Sequence, residues 1–123
     1  MYFVKIRESM MIAHSLKHPF FGLAQNVHGA TFEVFVTFKS HTVDEHNVVI
    51  DIGIAHQIVK DILKPLDYQN LDDLEIFKDK LTTTEFVAKY IFDEVTAKTN
   101  SFFKGKIAVS IKENPSAWAG FED

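Results

Sequence analysis

The chain contains no cysteine. Disulfides, thiolate metal ligands and a cysteine nucleophile are excluded together. Only 3 prolines and 5 glycines occur in 123 residues, too few for a collagen-like or low-complexity chain. No apolar run approaches the roughly 18 residues needed to cross a bilayer, and no charged-then-apolar leader opens the sequence. The lysines are scattered, not gathered into a patch, and the net charge is −4, which weighs against nucleic acid as a partner. These absences lead us to expect a cytoplasmic protein that meets neither membrane nor nucleic acid.

What is present is an ordinary globular composition, 46% hydrophobic and 24% charged. The length suits one domain spanning residues 1–123, with a core that needs no staples. The 12 phenylalanines point to an aromatic core rather than a cofactor box. Two long runs alternate with a period of two. Tyr2, Val4, Ile6, Met10 and Ile12 share one face, interrupted by Glu8, and the series ends on His14. Ala30, Phe32, Val34, Val36 and Phe38 share one face of the second run, and His28 has their parity. If the runs pair as an antiparallel hairpin, the end of one meets the start of the other. His14 and His28 then face the same side at the same end.

Residues 15–27 are expected to form a long, partly apolar loop of the kind that often serves function. Ser40–Asn47 is a polar turn, and Val48-Val49-Ile50 a short strand ended by Asp51, a plausible helix N-cap. Ala55, Ile58, Val59, Ile62 and Leu63 then recur at helical spacing until Pro65. A second helix is announced by a capping box, Thr82 with Glu85, and runs to about Lys98. Ile107, Val109 and Ile111 mark a further strand whose inward parity Glu113 continues, and Trp118 to Phe121 a last short one. The order β-β-α-α-β-β predicts an α+β domain, a four-stranded antiparallel sheet with two helices on one face. The acidic group Asp72, Asp73 and Glu75 reads most simply as a solvated face.

Six segments, in order, together resemble the 6-pyruvoyltetrahydropterin synthase / 6-carboxytetrahydropterin synthase family and its tunnelling fold. They are Met11-Ile12-Ala13-His14, Val27-His28-Gly29-Ala30, Val49-Ile50-Asp51, Leu66-Asp67-Tyr68-Gln69-Asn70-Leu71, Thr83-Thr84-Glu85 and Ile111-Lys112-Glu113. The resemblance implies zinc held by histidines, with His14 and His28 as two of three metal ligands. It implies a pterin anchored by Glu113 and lined by Thr83, Thr84 and Glu85. It also implies lyase chemistry on a dihydroneopterin-triphosphate-type substrate, and homo-oligomers built as trimers paired into hexamers. Departures fall on the chemistry. Ala30 stands where the family has its third zinc histidine, Ala24 where it has the catalytic cysteine, and Tyr68 where it has the histidine that follows Asp67.

Each of these residues has a second reading. His14 and His28 could instead bond to neighbours or to a bound ligand; His18 or His41 could supply a missing ligand. Glu113 offers two acceptor oxygens to the adjacent N–H groups of a pterin or purine-like ring, or simply reaches water or a lysine. Asp67 with Tyr68 is a possible catalytic acid/base pair or a turn with Asp67 as its cap. Gln25, beside the place of the absent cysteine, could hydrogen-bond a substrate. A non-catalytic pterin- or purine-binding oligomeric module is the alternative function.

Overall fold

The computed structural model describes all residues 1–123. Strand β1 (Tyr2–His14) pairs antiparallel with β2 (His28–Ser40) in unbroken register, from Tyr2 opposite Ser40 to His14 opposite His28. Strand alternation sends Ile6, Met10, Ile12 and His14 inward with Phe32, Val34, Val36 and Phe38, all buried. Helix α1 (Ile52–Leu63) starts where Asp51 accepts a 2.9 Å hydrogen bond from the Ile54 N–H. It buries Ala55, Val59, Ile62 and Leu63 and stops before Pro65. Helix α2 (Thr84–Thr99) buries Val87, Ala88, Ile91, Phe92 and Val95. Strands β4 (Lys106–Asn114) and β5 (Ala117–Glu122) extend the sheet antiparallel beyond β2. Both helices pack on the inward face of these strands, forming one continuous apolar core. Burying one such Leu, Ile or Phe contributes roughly 1.5–3 kcal/mol. No helix is long and apolar enough to cross a membrane.

The four antiparallel strands are as expected, and a fifth joins them. The two residues of β3 (Gln69–Asn70) run parallel to β1, opposite Ile12 and Ala13, so the sheet order is β3-β1-β2-β4-β5. Two further expectations need correction. Val48-Val49-Ile50 finds no partner strand; Ile50 is buried by packing alone. The loop at 15–27 contains a 3-10 turn, Pro19–Gln25, started by Pro19 and capped by His18, whose Nδ1 accepts from the Phe20 N–H at 3.1 Å. At the far end of the sheet Gly105 is required by close approach, since a Cβ there would sit 2.0 Å from the Lys39 carbonyl oxygen.

Candidate functional site

The hairpin delivers its two imidazoles as alternation demands. His14 closes β1, His28 opens β2, and their ring centroids lie 4.5 Å apart with the planes at 63°. Phe32 stands edge-on behind His14 at 6.0 Å. His14 is 1% exposed. Its Nδ1 lies 2.9 Å from the Thr82 carbonyl oxygen. A carbonyl only accepts, so Nδ1 carries the proton and donates. His28 repeats this arrangement, with Nδ1 2.8 Å from the Asn26 carbonyl oxygen. Neither Nε2 has a hydrogen-bond partner, so each offers a lone pair. Burial is the main influence on His14 and holds its pKa below the ordinary 6.5. The Thr82 hydrogen bond opposes that shift, His28 adds to it, and the carboxylates of Asp72 and Glu113 oppose it.

The capping box expected at Thr82 and Glu85 does not form, for a reason that bears on the site. The N-cap of α2 is Thr83, whose Oγ1 accepts from the Phe86 N–H at 3.2 Å. Thr82 is fully buried; its hydroxyl lies 3.2 Å from His14 Nδ1 and donates to Asp72 Oδ1 at 3.4 Å. Asp72 in turn accepts from the Ser15 N–H at 2.8 Å and the Ser15 hydroxyl at 2.6 Å. Asp72 is therefore no part of a solvated face, though Asp73 and Glu75 are exposed. Three consecutive threonines conceal which of them caps, and sequence spacing has no signal for the long-range bond to His14.

Glu113 follows Lys112, the last β4 residue paired with β2, at an irregularity between Lys112 and Asn114. The strand's parity would bury this carboxylate, but the bulge leaves it exposed at the rim, avoiding the cost of desolvation. It has no hydrogen-bond or ion-pair partner, yet it is close enough to His14 to affect its protonation. Glu113 also lines a cavity of about 620 Å³ with no apolar residue in its wall, shared with Arg7, Glu33 and Lys112. Glu33 takes both cations, Arg7 at 3.2 Å and Lys112 at 3.4 Å.

The family model described as 6-pyruvoyl tetrahydropterin synthase matches residues 3–123. The chain belongs to this family. It is 35% identical over 72 residues to human 6-pyruvoyl tetrahydrobiopterin synthase, a match covering 57% of this chain and 50% of that protein. The chain thus spans about half the length of that human relative. It is 27% identical over 112 residues to the Bacillus subtilis 6-carboxy-5,6,7,8-tetrahydropterin synthase, covering 86% of this chain and 75% of that one. The structure of the Caenorhabditis elegans 6-pyruvoyl tetrahydropterin synthase superposes with a TM-score of 0.86 at 24% identity, over 99% of this chain and 95% of that one. This last likeness supports the fold.

Other residues at the family's positions are placed as follows. Asp67 Oδ1 accepts from the Met11 N–H at 2.9 Å, and the Tyr68 N–H donates to the Met11 carbonyl at 2.7 Å. Together they fasten the chain to the edge of β1. Tyr68 has φ 59° and is 77% exposed. It lines a hollow with Met11, Ala13 and Thr31, which belong to the sheet face opposite the imidazoles. Thr84 is buried, while Glu85 is exposed in the first turn of α2. Gln25 is exposed and donates to the Gly22 carbonyl at 3.0 Å.

The family's zinc can be tested against this donor set. Two imidazoles with free Nε2 atoms and backbone-held Nδ1 atoms have the outer-shell support a metal ligand needs. A zinc centre takes at least three protein ligands. Ala30 provides none; His18 Nδ1 is used in capping; His41 lies past the opposite end of β2, about 40 Å of strand away. Three ligand-type side chains gather only in the exposed loop Asp44, Glu45 and His46, where Asp44 Oδ1 already accepts from the His46 N–H at 2.8 Å. The residues of this chain do not fit a three-histidine zinc, and no step is derived through one.

Proposed function

We propose that this chain binds a pterin or related purine-like ring between Glu113 and the His14–His28 pair, acting as a lyase of the 6-pyruvoyltetrahydropterin synthase type with a remodelled site. The observation that carries the reading is the exposed, partnerless Glu113 carboxylate at the rim of a polar cavity, its charge felt by the buried imidazole of His14. Such a ring presents a ring N–H and an exocyclic amine side by side, and one carboxylate accepts both. Thr83, Thr84 and Glu85, at the start of α2, supply further lining, and Gln25 a polar contact from the loop. By the resemblance Asp67 and Tyr68 would move the proton; Asp67 keeps its Oδ2 unengaged, but the exposed Tyr68 lies on the sheet face opposite the imidazoles, so within one subunit its hydroxyl does not meet a ring held beside them. The sheet has two open edges, β3 and β5, the latter with Trp118 exposed. Open edges invite pairing with further copies, in keeping with a trimeric or hexameric assembly.

A second reading is a ring-binding module without turnover. Ala24 and Ala30, at the positions of the cysteine and third histidine, favour it. Mass spectrometry of small molecules and metals that copurify with the protein, with a turnover assay on dihydroneopterin triphosphate, decides between them. A bound ring with turnover supports the lyase. A bound ring without turnover under any added metal supports the module. A protein that neither retains nor binds such a ring contradicts both.

A further inference from the structure

The end of the sheet remote from the imidazoles carries cations that the ring site does not use. Lys39 of β2 and Lys106 of β4 are register partners, so their side chains rise from one face directly opposite each other. Like charges so placed repel. The flanking positions on that face, Thr37 and Ala108, bring no carboxylate. Glu122, opposite Ala108 on β5, pairs with neither lysine. Lys104 adds a third ammonium, which donates to the Asn100 carbonyl and forms no ion pair. Gly105 keeps the three together, because its close approach to the Lys39 carbonyl sets residues 104–106 against the end of β2.

All three lysines line one cavity of about 720 Å³, bounded on its other side by the loop that follows β2. Val43, Val48, Val49 and the buried Phe103 give its wall an apolar surface. The two carboxylates in the lining are engaged. Asp44 Oδ1 accepts from the His46 and Val48 N–H groups, and Asp123 Oδ2 from the Ile107 N–H. An unneutralised ammonium pair beside an apolar wall suits a ligand with an oxyanion head and an apolar body. We propose that Lys39, Lys106 and Lys104 form a binding site for a small organic oxyanion, its head between the opposed ammoniums and its body against the valines. Lys106 and Glu113 stand seven residues apart on β4, about 23 Å of strand, so the site is independent of the ring-binding reading.

Calorimetric titration of the full chain with 1-naphthyl phosphate, 1-naphthoate, inorganic phosphate and 1-naphthol tests it. The probes are applied to native protein, Lys39→Gln/Lys106→Gln, Val48→Asn and Glu113→Ala, none of whose substituted positions is buried. Native protein binds the naphthyl anions more tightly than phosphate or naphthol, and more weakly as salt rises. The tighter of the two anions identifies the head group. The double lysine variant loses at least about tenfold for both anions, while its urea midpoint is no lower than native because the repulsion is relieved. Val48→Asn loses affinity for the naphthyl anions, and Glu113→Ala changes nothing. Native protein that binds neither anion overturns the site, as does unchanged affinity in the double lysine variant or naphthol binding as tightly as its phosphate ester. Unchanged affinity in Val48→Asn overturns the seating against the valines. Lost affinity in Glu113→Ala moves the anion to the ring cavity and overturns the site as well.

Discussion

His14 and His28 face each other across the last rung of the β1–β2 ladder, rings 4.5 Å apart, each with Nδ1 tied to a backbone carbonyl. The arrangement stabilises the neutral form of the buried member. Burial lowers the pKa of His14, so below about pH 6.5 the unfolded chain takes up a proton that the folded one resists. The stabilisation is complete above the unfolded value and is lost as pH falls through the folded one. Urea midpoints measured from pH 7.5 to 5 in chelator-treated buffer will fall more steeply for the native protein than for His14→Asn. Parallel slopes would contradict this environment for His14.

The incomplete donor set predicts a weak and repairable metal site. Native protein will lose zinc on dialysis against a mild chelator. Ala30→His puts a third imidazole on the parity of His28, two residues on, and will raise zinc affinity by more than the roughly 10–100-fold associated with outer-shell changes. Equally tight zinc in both proteins, read by competition with a chromophoric chelator, would show a third ligand in the native protein.

Asp67 holds the edge of β1 through the Met11 N–H. Asp67→Asn keeps an acceptor oxygen and will retain native stability, while Asp67→Ala will lose about 0.5–1.5 kcal/mol in urea unfolding. If Asp67 also moves a proton, Asp67→Asn will lose turnover at unchanged stability. Equal stability of Ala and Asn variants would remove the edge-fastening role.

The sheet was legible because alternation over two long strands fixes both faces, and a slip of one residue would expose Phe32 and Phe38 of β2. The same parity located the imidazole pair. Parity failed at Glu113, where a bulge interrupts it, and the two-residue strand Gln69–Asn70 is too short to carry a pattern. Thr82 and Asp72 reach His14 and Ser15 from distant parts of the chain. Local capping rules assigned Thr82 to the helix because they cannot register that competing partner. Lysines at 39, 104 and 106 are unremarkable in sequence; only the fold collects them around one cavity.

Ring binding in this chain depends on Glu113. Fluorescence titration of a pterin into native protein and Glu113→Ala measures this directly, because the side chain is exposed and has no structural partner to lose. Two charge-assisted hydrogen bonds removed together predict a loss of affinity of at least about 10-fold, with unfolding unchanged. Equal affinity for the pterin in the two proteins would contradict the account.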